Sequence, residues 1–330
     1  MPPTVDFTDG YGLGVSAMYA TQAAGMLMVA GGANFPDEPA AEGGRKAFYD
    51  GIYLYDGASW HRAGTMPVPA AYGTACSFGD WALFAGGTGP DGALKTVWLV
   101  APDSAGCVHV EPAAELSLPV EQAASAVSDG CMYLFGGIAG GDPSNRLFVI
   151  DLSSDEPRCR ELKPAPEAMV QPVMASSNGM LYVWGGFNPA TGQTSSNGYI
   201  YNIATGGWLV NILPPVPDGG TFTGACAATL ADGRIAVAGG VDRDIFTAAL
   251  ALPADSVRNY LLQPAEAYRF RRTVWIFDPA TSEWTSAGES IHTARAGASL
   301  VPYGGGICLL GGELKPGIRT PENYYTTDLQ

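Results

Sequence analysis

The chain has 330 residues, 47% of them hydrophobic and only 15% charged, with a mean hydropathy of +0.08, so it holds enough apolar material for a large core and too much for a disordered chain. Its 17 Lys and Arg against 32 Asp and Glu give a formal charge of −15, which repels phosphate backbones and anionic lipid and argues against nucleic acid or a membrane surface as partner. Every apolar run stops at a Gly pair or a charge before the roughly 18 residues that a spanning helix needs, so a soluble protein is expected.

The N-terminal Met-Pro-Pro-Thr-Val-Asp lacks a basic segment followed by an apolar core. As numbered, this predicts a cytoplasmic location, or a periplasmic one if a leader has been removed. Cys76, Cys107, Cys131, Cys159, Cys226 and Cys308 are scattered without a CxxC and read as reduced, small hydrophobic side chains.

In chain order, one phrase recurs six times: MLMVAGG ending at Gly32, WALFAGG at Gly87, MYLFGG at Gly137, LYVWGG at Gly186, IAVAGG at Gly240 and ICLLGG at Gly312. The first glycines stand 55, 50, 49, 54 and 72 residues apart, close to the kelch period of about 50 in which each repeat is one four-stranded blade. The prediction is an all-β, six-bladed kelch-type β-propeller forming a single domain over residues 1–330. Each apolar run makes a strand buried on both faces, and the glycines let the backbone leave a crowded hub. Third strands end at Asp56, Asp151, Asn202 and Asp278, and Trp60, Trp208 and Trp284 then open fourth, outer strands.

The ends of the chain bear on closure. After Gly312 one strand fits, near Tyr324 to Asp328, so the sixth blade lacks its outer strand. The first blade takes its inner strand from about Gly14 to Ala20, which leaves Thr4 to Phe7 to fill the sixth blade. The ring is thus expected to close by pairing of the N- and C-terminal strands, removing an open edge. Two units are enlarged after their Gly pairs: a Pro/Gly-rich loop from Ala33 to Gly51, and a helical insertion from about Thr247 to Arg272 in which Asp255 or Ser256 caps a helix.

Both insertions are links from a second to a third strand and therefore emerge on one face. That face collects Asn34, Phe35, Arg45 and Lys46, then Asp242, Arg243 and Phe246, then Glu313, Lys315 and Arg319, with His292 and Arg295 from the link before the last blade. Many of these charges suit a solvated rim equally well. Glu313 is placed differently, directly after a Gly pair, where the chain has barely left the hub. Arg319 follows six residues on, with Pro316 and Gly317 to turn the loop back. A carboxylate that moves protons beside a guanidinium that forks onto a substrate carboxylate suits a small acidic sugar. Asn34, Lys46, Asp242, Arg243 and His292 are candidates for holding its hydroxyls. His61 and His109 fall on outer strands, no metal-ligand set converges, and no cofactor is expected. The glycines from Gly136 to Gly141 look like a phosphate loop but belong to the repeat.

The stretches GGELKPGIRT (Gly311 to Thr320), AGGVDRDIF (Ala238 to Phe246), IFDPATSEWTSAGES (Ile276 to Ser290), AGGANFP and RKAFYDGIYLYD resemble the kelch-propeller sialic acid mutarotases, the N-acetylneuraminate epimerases. The blade bearing the motif comes last here, which resembles a cyclically permuted branch; residues 101–217 match only at the generic kelch level. The resemblance implies interconversion of the α and β anomers of N-acetylneuraminate with Glu313 and Arg319 as the catalytic pair. A small-molecule sugar acid is then the expected partner; apart from the resemblance, a homodimer is one assembly to test. The alternatives are a non-catalytic kelch module that holds a protein, or a sugar binder without turnover.

Overall fold

The computed structural model describes residues 10–153 and 157–329. Its framework is six antiparallel sheets in chain order. The first orders Tyr19–Ala23, Met26–Ala30, Gly51–Tyr55 and Trp60–Thr65; the second Thr74–Phe78, Trp81–Ala85, Thr96–Pro102 and Val108–Glu115. The third orders Ala124–Ser128, Cys131–Phe135, Leu147–Asp151 and Cys159–Glu161; the fourth Val173–Ser177, Met180–Trp184, Gly198–Asn202 and Gly207–Leu209. The fifth orders Ala225–Thr229, Ile235–Gly239, Thr273–Asp278 and Glu283–Glu289, and the sixth has three strands, Ser299–Tyr303, Gly306–Leu310 and Asn323–Thr326. Each repeated apolar phrase is therefore a second strand, and each Gly pair follows at or within a residue of its end. Trp60, Trp208 and Trp284 stand on fourth strands, as do His61 and His109.

The apolar side chains divide into clusters between successive sheets. Phe84 and Val100 pack on Met28 and Leu54, and Phe148 and Ile150 on Leu83 and Val97. Val301, Cys308 and Leu310 of the sixth sheet pack on Leu27, Val29 and Tyr53 of the first. Because second strands meet neighbours on both faces, four of the five residues in Met26–Ala30 and in Cys131–Phe135 are buried. Burial of each large side chain of this kind contributes about 1.5–3 kcal/mol. Trp184, fully buried in the fourth sheet, meets Trp284 of the fifth edge to face at 4.9 Å and donates from Nε1 to the Pro214 carbonyl at 3.0 Å.

The links that precede the first strands approach one another. In them Ala17, Tyr72, Gln122, Gln171, Gly224 and Gly297 all take φ between 54° and 68°. Each donates its backbone N–H to the carbonyl of the preceding one: Tyr72 to Ala17 at 2.8 Å, Gln122 to Tyr72 at 2.7 Å, Gln171 to Gln122 at 2.9 Å, Gly224 to Gln171 at 3.4 Å, Gly297 to Gly224 at 2.8 Å, and Ala17 back to Gly297 at 2.7 Å. Four of the six carry side chains in a backbone region that disfavours them, so the six bonds hold a conformation that the residues alone would leave.

Three boundaries differ from expectation. The first inner strand begins at Tyr19, because Tyr11–Leu13 is a 3₁₀ turn and Gly14 and Ala17 both bend the chain at positive φ. The insertion in the fifth sheet begins earlier, with helix α1 at Arg243–Leu250, because the Asp242 carboxylate accepts from the Asp244 and Ile245 N–H groups and caps it. Helix α2 spans Ala254–Leu261 with Pro253 at its N-cap, so Asp255 lies in the first turn and Ser256 caps nothing. Thr4 to Phe7, expected to close the ring, lie outside the described residues.

Gly14 is fixed by its neighbours. At φ 91° a Cβ there would stand 2.2 Å from the Thr320 carbonyl carbon. Gly14→Ala is expected to cost about 2–4 kcal/mol, read as a lower urea midpoint with unchanged slope.

Candidate active site

The motif at the end of the chain folds as a hairpin. Glu313–Lys315 pairs antiparallel with Ile318–Arg319, and Pro316 and Gly317 turn the chain, Gly317 at φ 86°. Glu313 and Arg319 are direct partners across this ladder, so both side chains leave the same face. Arg319 Nη1 lies 2.8 Å from Glu313 Oε2, with the side chains 5% and 23% exposed. Glu313 is tied to the link before the sixth sheet through reciprocal backbone bonds with Ala296 at 2.8 and 3.0 Å. Arg319 donates from Nε to Ser16 Oγ at 3.0 Å, and its guanidinium carbon sits 5.1 Å from the Phe35 ring centre. Nη1 is buried, and its one close polar partner among the described residues is this carboxylate. Nε and Nη1 are thus committed to Ser16 and Glu313, and the side chain still lines the neighbouring cavity.

Burial pushes the Glu313 carboxyl above the ordinary carboxylate range, while Arg319, the Gly317 N–H and Lys46 pull it down. A carboxyl raised toward working pH both accepts and returns a proton, as acid/base catalysis requires. Desolvation also raises Tyr260, to about 12, and Tyr268, each with a smaller contribution from Glu313.

Glu313 and Arg319 line a cavity of about 240 Å³ together with Ser16, Tyr72, Gln122, Gln171 and Phe246. Drug-sized sites run from roughly 300 Å³ upward, so a single sugar ring suits this space better than an oligosaccharide. The two insertions meet beside it: Arg258 of α2 pairs with Glu42 at 2.9 Å, and Lys315 Nζ donates to the Leu261 and Gln263 carbonyls at 3.2 and 2.7 Å. Phe246 and Tyr260 pack on Tyr268 and Phe270 rather than standing free.

The weaker candidates are placed as follows. Lys46 reaches the cavity rim, donating from Nζ to the Tyr72 hydroxyl at 2.7 Å. Asn34 is buried and saturated, donating to the Gly10 and Gly14 carbonyls at 2.8 Å each and accepting from Tyr49 at 2.8 Å. Asp242 caps α1 and pairs with Arg269 at 3.2 Å, and Arg243 pairs with Asp244 at 2.9 Å. His292 stacks on Tyr324 at 3.9 Å and lines a larger groove of about 310 Å³ beside Asn323–Thr326, which lacks the Glu313–Arg319 pair. Arg295 is buried, donating to the Gly311 and Glu322 carbonyls at 2.7 and 3.1 Å, and Arg45 is exposed. Among the described residues no three His, Cys, Asp or Glu side chains gather as a metal site.

Sequence reading missed Ser16, Tyr72, Gln122 and Gln171. The last two join through their side chains, Gln171 Nε2 donating to Gln122 Oε1 at 2.7 Å. A signal for three of them exists: Tyr72, Gln122 and Gln171 each stand two residues before a first strand or closer, so superposing the repeats puts them in one column.

A family model for N-acetylneuraminate epimerase matches residues 138–328, more than half of the chain. The N-acetylneuraminate epimerase of Brucella melitensis is 29% identical over 230 residues, covering 63% of this chain and 57% of that protein. That of Salmonella arizonae is 31% identical over 223 residues, covering 62% and 56%. The matched region thus spans less than two thirds of these curated relatives. A solved structure described as that of YjhT aligns with TM-score 0.57 and 26% identity, covering 65% of each chain.

Proposed function

This chain belongs to the N-acetylneuraminate epimerase family, and we propose that it is a sialic acid mutarotase, an isomerase that interconverts the α and β anomers of N-acetylneuraminate. We further read the six sheets as blades of one single-domain propeller; the support for this is the circle of six backbone bonds and the apolar cluster between the sixth sheet and the first. The observation that carries the activity is the cross-strand ion pair of Glu313 and Arg319, both lining a sugar-sized cavity.

The chemistry follows from the pair. Arg319 grips the substrate carboxylate with its planar fork and so fixes the anomeric carbon near Glu313. The Glu313 carboxylate removes the proton of the anomeric hydroxyl, the bond from the anomeric carbon to the ring oxygen breaks, and the ring oxygen is protonated. The open-chain keto acid turns its carbonyl, and the reverse steps close the ring on the other face. The protons balance and no electrons are transferred. A carboxyl whose affinity for protons is raised by burial serves both directions, which is what a near-thermoneutral isomerisation needs.

The test is proton NMR of freshly released α-N-acetylneuraminate. Addition of the protein is expected to bring the anomers to equilibrium faster than buffer alone. Saturable binding with no acceleration would instead identify a sugar-binding module.

A further inference from the structure

The proposed reaction needs a proton for the ring oxygen while Glu313 takes one from the anomeric hydroxyl, and one group cannot do both in the same step. The cavity holds a second polar group suited to this. Tyr72 lines it, from the link between the first and second sheets, with φ 61° at a bulky side chain. That conformation is unfavourable and is kept by the hydrogen bonds of Tyr72 to Ala17 and Gln122 in the backbone circle.

The phenol is paired on one side only. Lys46 Nζ donates to its oxygen at 2.7 Å and stands 4.6 Å from the ring centre, whereas the hydroxyl proton has no acceptor among the described residues. Lys46 comes from the long loop of the first sheet, so two separate elements converge on this oxygen. An ammonium donating to a phenol oxygen stabilises the negative charge that builds there as the proton leaves. The same ammonium acts on the Glu313 carboxyl, which places both proton-handling groups within its field.

Resting on the mutarotase reading, we propose that Tyr72 is a second catalytic residue, the acid that protonates the ring oxygen, and that Lys46 is its positioning residue. In ring opening the anomeric O–H proton passes to Glu313, the electron pair of that O–H becomes the new C=O bond, and the ring C–O bond breaks toward its oxygen, which takes the Tyr72 proton. Tyr72 is left as a phenolate against Lys46, and Glu313 as a neutral acid. Ring closure returns each proton, so the enzyme emerges unchanged and no co-reactant is needed.

The experiment measures anomer exchange of N-acetylneuraminate by saturation-transfer NMR for the parent, Tyr72→Phe, Lys46→Met and Lys46→Arg, with circular dichroism to establish folding. Tyr72→Phe is expected to lower kcat about a hundredfold with KM unchanged. Lys46→Met is expected to lower kcat by roughly tenfold at constant KM, and Lys46→Arg to restore most of it, since the charge returns. Exchange by folded Tyr72→Phe at the parent rate would overturn the proposal, as would a rise in KM with kcat intact, which would make the pair a binding contact. Should Tyr72→Phe not fold, the split between kcat and KM in Lys46→Met decides in the same way. A parent that does not accelerate exchange overturns the mutarotase reading itself, whereas an active parent with active Tyr72→Phe overturns this inference alone.

Discussion

Glu313→Gln is expected to exchange anomers at least a hundredfold more slowly than the parent while its KM for N-acetylneuraminate stays close to the parent value. Glutamine keeps the shape and an acceptor oxygen beside Arg319 but cannot take a proton, so ground-state contacts survive and the step through the transition state does not. The pH profile sharpens the test. Burial raises the Glu313 carboxyl above its ordinary 4.5, against the pull of Arg319, the Gly317 N–H and Lys46; the phenols of Tyr260 and Tyr268 also feel its charge, and that of Tyr72 lines the same cavity. The ionised form is the base, so enzymatic rate, corrected for the buffer reaction, should fall as pH drops through a value above 4.5. In Glu313→Gln that acidic limb should be absent from whatever residual rate remains. A limb that persists unchanged would assign the titrating base to another group.

What was legible in the sequence is what depends on local chemistry. Six Gly pairs mark the ends of six second strands because an apolar run followed by two residues without Cβ has few other uses. The hairpin of Glu313 and Arg319 was legible because Pro316 and Gly317 fix the turn and a turn of that length sets the two side chains opposite each other. Asp242 was ambiguous for the opposite reason. An acid that precedes a helix reads equally as a ligand and as a cap, and here it caps α1. Asn34 looked available and is consumed by two backbone carbonyls and a tyrosine. His292 shares a link with Arg295, yet its ring turns toward Tyr324 and away from the hairpin's cavity. Tyr72, Gln122 and Gln171 escaped notice because about 50 residues separate each from the next and only the circle of backbone bonds brings them together.

Arg319 separates two roles that a single substitution would confuse. Arg319→Lys keeps a cation beside Glu313 but loses the fork, so KM for N-acetylneuraminate should rise tenfold or more, as charge-assisted bonds worth about 1.5–3 kcal/mol are weakened, while the acidic limb of the rate profile stays where it is in the parent. Arg319→Ala loses the cation as well. The largest influence that lowers the Glu313 carboxyl is then gone and desolvation remains, so the acidic limb should move to higher pH. Stability should report the same shift with a definite sign. A buried acid whose folded-state pKa lies above its unfolded value opposes folding as pH rises through that interval, and raising the folded value further widens the interval. The deficit of Arg319→Ala against the parent, measured by urea denaturation, is therefore expected to be smaller at pH 5 than at pH 8. An equal deficit at both pH values would mean that Glu313 does not feel Arg319, and the pair would lose its claim to work as a unit.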